Sequence, residues 1–327
     1  MNPEFLPMKD GGHAWNWFWI TVKIESPEFG NPFLEGELSG EFTNEVGQVW
    51  KVEGFYNSEE GSRFEIRFMP PAEGKYAYRL KFTAKGETQE YSGIYVCQAS
   101  ERPGMVRVDP DFPFQFQYAG TKLPYFWNST TYSIVGWESE IITEILDRFE
   151  RLGINRIRAS LSGIHVENGE AWKEPVYPSD KFSFLFHPWV MTGDDPLANP
   201  GYDVTRFNLE HWRKFERLLA KAKKRGIQVS VIFYVDGYRP GTDPFGKGGA
   251  GGEDEKRYYR YAVARLACFS NVMWDIANEY RLFRDDEWAE TMGNYLKSID
   301  PYGHLTSVHG HEDFRRRADG QAFDFAE

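Results

Sequence analysis

The sequence predicts two regions of different fold class: an all-β sandwich over residues 1–106 and a TIM-type (β/α)8 barrel over residues 107–327. In the first region, short segments alternate between apolar and polar residues, which is typical of strands with one buried face. In the second region, apolar runs alternate with segments of helical periodicity, as expected for parallel strands that helices connect.

The strands predicted for the N-terminal region are short, and turn residues such as Gly30-Asn31-Pro32 separate them. This spacing favours an antiparallel β-sandwich, and no helical pattern interrupts it. We expect the region to be an accessory domain that supports the second one. The predicted strands span residues 18–24, 38–42, 50–54, 64–68 and 76–82, with a last strand through Tyr95.

The second region begins with a predicted hairpin over residues 114–126 and continues as alternating strands and helices. A doubly wound open sheet is the alternative to a barrel. The barrel is favoured because polar and aromatic residues gather after the strands, where a barrel carries its active site. The predicted parallel strands span residues 123–127, 154–161, 227–235, 271–277, 305–308 and 322–325, and the helical patterns cover 141–152, 209–222, 255–269 and 288–296.

Six parallel strands are fewer than a closed (β/α)8 barrel contains. The sequence therefore predicts a barrel that is truncated after about six strands and incomplete at its C-terminus. We expect a missing C-terminal segment or a second chain to complete the barrel, because an uncovered sheet edge promotes aggregation.

Composition excludes several classes of partner. The net charge is −11 and there is no long basic run, which argues against nucleic-acid binding. No apolar stretch reaches the length of a membrane span. Cys97 and Cys268 are interpreted as two buried thiols, although a single disulfide is the alternative. The first residues lack the pattern of a signal peptide, so a cytoplasmic and a cleaved, secreted origin both stay open.

One segment carries the strongest chemical signal. The buried strand 271–277 delivers Asn278 and Glu279 at its C-terminal end. A carboxylic acid placed there among aromatic residues can have its pKa raised by desolvation, and can protonate a leaving glycosidic oxygen. The neighbouring amide can hydrogen-bond a sugar hydroxyl. The alternative is a polar strand end that caps the following helix.

The sequence also resembles a known family. The second region resembles the retaining (β/α)8 glycosidases in which Asn-Glu ends the fourth strand. More narrowly, the chain is similar to bacterial glycosidase-like proteins of the apiosidase-like type that carry an N-terminal immunoglobulin-like domain. The matching stretches are Val52-Glu-Gly-Phe-Tyr56, Arg67-Phe-Met-Pro70, Thr205-Arg-Phe-Asn208, Tyr261-Ala-Val-Ala-Arg-Leu266, Asn278-Glu-Tyr280 and Asp300-Pro-Tyr-Gly-His-Leu305.

The resemblance implies roles for the matching positions. Glu279 is the expected catalytic acid/base and Asn278 its substrate-binding neighbour. Arg158, near the end of the second strand, is expected to steady the nucleophile's carboxylate; a salt bridge within the barrel is the alternative. The family's nucleophile follows a seventh strand, so we expect it to be missing from this chain and do not assign that role to Glu327.

Other residues near the strand ends are candidates for binding substrate. His309 follows the fifth strand, and the resemblance implies that it lines the active site. A metal site shared with His311 is the alternative, but two histidines and a carboxylate are not a specific metal signature. Asp236 is a candidate for hydrogen bonding to substrate, and a cap or turn before Gly237 is the alternative. Further stacking surfaces are expected from Trp127, Tyr238 and Tyr280.

The sequence therefore predicts a glycoside hydrolase that cleaves O-glycosidic bonds of a poly- or oligosaccharide, with retention. No metal and no cofactor is expected. A non-catalytic glycan-binding protein is one alternative, because the second carboxylate of a retaining pair is not found. A partial barrel completed by another chain is the other alternative.

Overall fold

The structure is a computed structural model. It describes residues 2–8, 12–58, 60–131, 134–164, 166–167, 170–171, 181–183, 185–195, 199–235, 243–310 and 322–326. These residues form an N-terminal pair of β-sheets, a short three-stranded connecting sheet, and a curled parallel sheet with helices on its outer side.

The N-terminal region is all-β apart from one short helix, as the alternating sequence pattern predicts. Each strand predicted from that pattern is present. The elements are β1 Pro3–Pro7, β2 Gly12–His13, β3 Phe18–Ile24, α1 Pro32–Glu35, β4 Gly36–Asn44, β5 Val49–Glu53, β6 Phe55–Tyr56, β7 Arg63–Phe68, β8 Gly74–Ala84 and β9 Glu87–Gln98.

These strands form two sheets that bury a common aromatic core. One sheet has the order β1-β3-β7-β6 and the other the order β2-β9-β8-β4-β5. Phe42 of β4 stacks on Phe68 of β7 with ring centroids 4.3 Å apart, which joins the two sheets face to face. The sheet pairing is antiparallel except between β2 and β9.

A three-stranded antiparallel sheet connects the two regions. Its strands are β10 Val106–Val108, β11 Phe116–Tyr118 and β12 Pro124–Tyr125, which confirms the predicted hairpin. The prediction that residues 123–127 form the first parallel strand is wrong, because Pro124 and Tyr125 pair with β11 instead. The first parallel strand starts later, at Ser129.

The remaining elements alternate between strands and helices. They are β13 Ser129–Thr131, α2 Ser139–Arg151, β14 Arg156–Ser160, β15 Gly163–Ile164, β16 Val166–Glu167, β17 Glu170–Ala171, β18 Leu185–Phe186, β19 Trp189–Met191, β20 Tyr202–Phe207, α3 Leu209–Lys223, β21 Gln228–Ile232, α4 Gly246–Gly249, α5 Glu253–Leu266, β22 Val272–Asp275, α6 Asp286–Ile299, β23 Thr306–Val308 and β24 Phe325–Ala326. The four predicted helices correspond to α2, α3, α5 and α6.

Six strands form one parallel sheet in the order β13-β14-β21-β22-β23-β24. The sheet is curled like part of a barrel, because Trp127, just before β13, meets Phe325 of β24 with ring centroids 5.2 Å apart. β22 is the fourth strand in this order, as expected for the strand that leads to Asn278. The truncation of the barrel stays a prediction.

The connecting sheet covers the N-terminal end of the parallel sheet. Val106 and Tyr125 share a buried cluster with Met273 of β22 and Leu305, which precedes β23. Apolar side chains from the connecting sheet therefore pack against this end of the parallel sheet.

Buried charges join the N-terminal sheets to the helices. Arg67 of β7 donates to Glu216 of α3 at 2.8 Å, and Arg265 of α5 donates to the same carboxylate at 2.8 Å. Arg67 also donates to Glu65 at 2.9 Å. The domain boundary near residue 106 and the immunoglobulin-like character of the N-terminal region stay predictions, because one continuous apolar core runs through both regions.

Two further observations concern the cysteines and membrane-spanning helices. Cys97 and Cys268 are both buried and unpaired, which confirms the interpretation of two thiols. Within the described ranges, no helix is long and apolar enough to cross a membrane.

Candidate active site at the C-terminal end of the parallel sheet

Asn278 and Glu279 extend the fourth parallel strand beyond its regular end. The backbone N–H of Asn278 donates to the Tyr234 carbonyl at 2.8 Å, on the side of the third strand. On the other side, the N–H of His309 donates to the Ala277 carbonyl at 3.0 Å. Neighbouring strands therefore hold this segment from both sides, and both side chains are partly exposed.

Glu279 has an unusual backbone conformation. Its φ is 47° and its ψ is 47°, the left-handed region that residues other than glycine seldom occupy. Its N–H donates to Nδ1 of His309 at 3.3 Å, and the next N–H, of Tyr280, donates to the His309 carbonyl at 3.3 Å. Backbone strain of this kind costs roughly 1–3 kcal/mol and clusters at active sites.

Arg158 reaches the same region from β14, and it is ion-paired. Its Nε and Nη2 donate to Oδ2 of Asp275 at 3.0 and 2.6 Å. Its Nη1 donates to Oδ1 of Asn278 at 3.1 Å. The salt bridge within the barrel, which sequence analysis left as the alternative for Arg158, is therefore present in this structure.

The predicted aromatic surfaces do not all lie at this end. Trp127 lies at the N-terminal end of the sheet, where it stacks against Phe116 at 4.8 Å and under Arg156 at 4.6 Å. Trp127 precedes the first parallel strand instead of following it. It therefore lies at the opposite end of the sheet from Glu279. Tyr280 is close to Glu279, but it is only 2% exposed and its hydroxyl donates to Asp286 at 2.6 Å. A buried ring of this kind packs the protein and offers no open stacking face.

Four residues named in the sequence analysis lie outside the described residues. They are Asp236, Tyr238, His311 and Glu327. In the described part of the chain, no three histidine, cysteine, aspartate or glutamate side chains come together as a group that could hold a metal ion.

A buried carboxylate that sequence analysis missed lies behind the site. Glu255 of α5 is fully buried and accepts hydrogen bonds from the Tyr234 hydroxyl at 2.8 Å and from Nε1 of Trp288 at 3.1 Å. It also accepts the backbone N–H of Gly251. Burial raises the pKa of Glu255 above its usual range. The network ties the Tyr234 backbone, which holds Asn278, to the loop that precedes α5.

The same loop is fixed at a second point. Arg284, in the loop after the fourth strand, donates to both carboxylate oxygens of Asp243 at 2.6 and 3.0 Å. Bidentate pairs of this kind are geometrically specific as well as strong. The glycine-rich segment between Asp243 and Gly251 is therefore held next to the loop that follows Glu279.

Two buried histidines lie after the second strand. His211 of α3 contacts the Leu161 carbonyl through Nε2 at 2.8 Å, and burial lowers the pKa of His211 to about 3. His187 contacts the Tyr202 hydroxyl through Nδ1 at 2.9 Å, and burial lowers its pKa to about 4. Both rings are therefore neutral near neutral pH.

The crevices between the N-terminal sheets and the helices are separate from this site. One has a volume of about 460 Å³ and is lined by Phe33, Glu53 and Arg260, among others. Neither Glu279 nor Asn278 lines it. The chemically informative residues therefore gather at the strand ends.

Two sequence families match parts of the chain. Residues 182–326 match the family described as the apiosidase-like catalytic domain. Residues 12–83 match a domain of unknown function, DUF5060. No curated protein matches the chain.

Solved structures are similar to the chain to different extents. A presumed glycoside hydrolase from Bacteroides vulgatus superposes with a TM-score of 0.75 at 24% identity, over 92% of this chain and 56% of the other. The chain thus spans about half the length of that protein. A family 5 mannosidase from Rhizomucor miehei reaches a TM-score of 0.45 at 14% identity, covering 68% of this chain and 61% of its own.

The chain is therefore similar to known proteins in two respects. The family match covers the segment that contains Asn278 and Glu279. The match at a TM-score of 0.75 extends over most of the chain and shows a shared fold, with a β-rich N-terminal region before a barrel-like sheet.

Proposed function

We propose that the chain carries a glycoside hydrolase site in which Glu279 is the catalytic acid/base. The observation that carries this proposal is the position of Glu279 at the end of the fourth parallel strand, in a left-handed conformation and beside Asn278. Strained, partly exposed carboxylates at the C-terminal face of such a sheet are typical of catalytic groups. The apiosidase-like family match over this segment gives independent support.

The proposed chemistry is acid catalysis followed by base catalysis. Glu279 protonates the oxygen of the leaving sugar as the bond to the anomeric carbon breaks. A second carboxylate bonds to the anomeric carbon as the leaving sugar departs. The Glu279 carboxylate then takes a proton from the water that attacks this carbon and displaces the second carboxylate. We propose that the reaction retains the anomeric configuration, as in the enzymes that the sequence resembles.

Retention requires a second carboxylate about 5–5.5 Å from the first, which acts as the nucleophile. In the retaining (β/α)8 glycosidases that the sequence resembles, the nucleophile follows the seventh strand. The described residues form six parallel strands, so the nucleophile is not assigned among them.

The remaining site residues are proposed to bind substrate. The side-chain amide nitrogen of Asn278 donates to none of the described residues and is available to a sugar hydroxyl. His309 is proposed to line the site, because its backbone and its Nδ1 both hold the Glu279 segment. Asp236 and Tyr238 are kept as proposed substrate contacts on the sequence pattern alone.

The experiment that tests the proposal compares two charge-removing variants. Glu279→Gln removes the acid, and Glu287→Gln removes an exposed carboxylate from α6 as a matched control. Turnover is measured as reducing sugar released from a panel of plant and microbial polysaccharides. We expect Glu279→Gln to lose about 10²–10⁴-fold in turnover and Glu287→Gln to keep it.

Equal turnover by Glu279→Gln and the unmodified chain would contradict the proposal. Calorimetric titration with the same glycans separates the second candidate function. Binding without any product from the unmodified chain would favour a non-catalytic glycan-binding protein.

A further inference from the structure

Asp275 is a buried carboxylate inside the curled sheet. It is the last residue of β22 and is fully buried. The preceding residue, Trp274, points to the helix side, where its Nε1 donates to Asp300 at 3.0 Å. Since side chains alternate along a strand, Asp275 points to the interior, towards Arg158. The carboxylate thus lies three residues before Asn278 and on the same side as the site.

The ion pair between Asp275 and Arg158 fixes the guanidinium in one orientation. Two nitrogens of Arg158 converge on Oδ2 of Asp275 at 3.0 and 2.6 Å, and both side chains are at least nine-tenths buried. Separating such a pair would leave an uncompensated buried charge, which is strongly unfavourable. The third nitrogen, Nη1, is consequently held at one place, 3.1 Å from Oδ1 of Asn278.

The Arg158 contact decides which way the Asn278 amide faces. A side-chain amide has one acceptor oxygen and one donor nitrogen, and the two ends differ little in shape. A guanidinium can only donate hydrogen bonds, so it donates to the amide oxygen and cannot pair with the amide nitrogen. The Nδ2 group of Asn278 is therefore turned away from Arg158 and left available as a donor.

We propose that Asp275 is a positioning residue that, through Arg158, orients the Asn278 amide so that it donates to the sugar hydroxyl next to the reacting carbon. Hydrogen bonds to this 2-hydroxyl strengthen in the transition state of glycoside hydrolysis. This inference rests on the proposed function. It assigns Asp275 a role in transition-state binding without contact to the substrate.

The test compares aryl glycosides that carry the 2-hydroxyl with 2-deoxy analogues of the same sugar. In the unmodified chain, we expect loss of the hydroxyl to lower kcat/KM by about 10- to 100-fold, the size of one hydrogen bond that is made in the transition state. Asp275→Leu, whose side chain cannot accept from Arg158, should reduce this preference towards unity. Asn278→Ala should do the same, and the double variant should lose nothing further, because both act on one contact.

A second variant covers the case in which Asp275→Leu, which leaves Arg158 as a lone buried charge, does not fold. Replacing both members of the pair, as in Arg158→Met with Asp275→Leu, removes the contact to Asn278 without leaving a lone buried charge. Replacements of this type are often neutral for stability, and we expect the same loss of preference for the 2-hydroxyl.

The outcomes separate the two proposals. An unchanged preference for the 2-hydroxyl in a folded variant overturns the role of Asp275, as do additive losses in the double variant with Asn278→Ala. If Glu279→Gln abolishes turnover in the same experiment, the proposed function survives that result. If the unmodified chain turns over none of the glycosides, the proposed function fails, and this inference fails with it.

Discussion

The backbone N–H of Glu279 donates to Nδ1 of His309 across a distance of 3.3 Å. The contact ties the end of the fourth parallel strand to the end of the fifth. It also requires Nδ1 of His309 to be unprotonated, so that in the neutral ring the proton lies on Nε2. The imidazole thereby acts as a brace for a residue whose backbone is strained.

We therefore expect His309→Ala to loosen Glu279 and lower turnover by about 10- to 100-fold, since small misplacements of catalytic groups are costly. His309→Asn keeps an acceptor oxygen near the position of Nδ1 and should keep more of the turnover than His309→Ala. Steady-state kinetics of the two variants checks this. Equal loss in both would show that the Nδ1 contact does not matter.

The left-handed backbone of Glu279 predicts an effect on stability that is independent of any substrate. Glycine adopts this conformation without strain, whereas alanine does not. We expect Glu279→Gly to be more stable than Glu279→Ala by about 1 kcal/mol, although both lack the carboxylate. Denaturant unfolding measures the difference. A more stable alanine variant would indicate that the backbone at this position is not strained.

The ion network around Glu216 predicts that the N-terminal sheets and the helices unfold together. Burial acts to raise its pKa, but Arg265 and Arg67 hold the pKa of Glu216 below its usual range. Glu216→Gln leaves these two guanidiniums without that counter-charge and should destabilise the chain by about 3–5 kcal/mol.

The control for Glu216 is Glu41→Gln. Glu41 lies 3.8 Å from Lys51, and both side chains are more than half exposed. We expect a change within about 0.5 kcal/mol, as for most surface substitutions. Thermal unfolding followed by calorimetry gives both values. Two separate transitions in the unmodified chain would contradict the coupling.

The two buried histidines predict a loss of stability in mild acid. Their pKa values in the folded chain, about 3 for His211 and about 4 for His187, lie below the ordinary value of 6.5. The unfolded chain therefore binds protons that the folded chain does not, and stability falls as pH drops below about 6.5. At about pH 5, each histidine accounts for a loss of up to about 2 kcal/mol.

The variant His211→Gln checks this origin, because glutamine can still donate to the Leu161 carbonyl but does not titrate. Between about pH 6.5 and about pH 5, the free energy of unfolding of this variant should fall less steeply with pH than that of the unmodified chain. The difference in slope should correspond to the uptake of up to about one proton on unfolding. Denaturant unfolding at several pH values measures the slope. An unchanged slope would mean that His211 is not kept neutral by the fold.

Much of the fold could be predicted because each apolar pattern fits only one type of secondary structure. The helical stripe before Gly153 ends where predicted, since Gly153 takes a φ of 70° that favours glycine at a helix end. The short edge strand β1 escaped prediction. Its two prolines, Pro3 and Pro7, weaken the strand pattern, but they are tolerated at the edge of a sheet.

The site could be predicted only in part, because sequence spacing does not reveal which side chains meet. Trp127 was assigned to the wrong end of the sheet, since the hairpin strand before it has the same apolar character as a parallel strand. Glu255 was not predicted as a site residue, because acidic residues are common in the first turn of a helix whatever their role. Its spacing from Tyr258, Tyr259 and Ala262 on the buried face of α5 was the available signal.

The role of Glu279 is tested most directly by varying the leaving group of the substrate. An acid catalyst is essential when the departing oxygen is strongly basic, and is nearly dispensable when it is not. Glu279→Ala and the unmodified chain are compared on an alkyl glycoside and a dinitrophenyl glycoside of the same sugar. We expect the variant to lose about 10³-fold or more in kcat/KM on the alkyl glycoside and less than about 10-fold on the dinitrophenyl glycoside. An equal loss on both substrates would contradict the assignment of Glu279 as the acid/base.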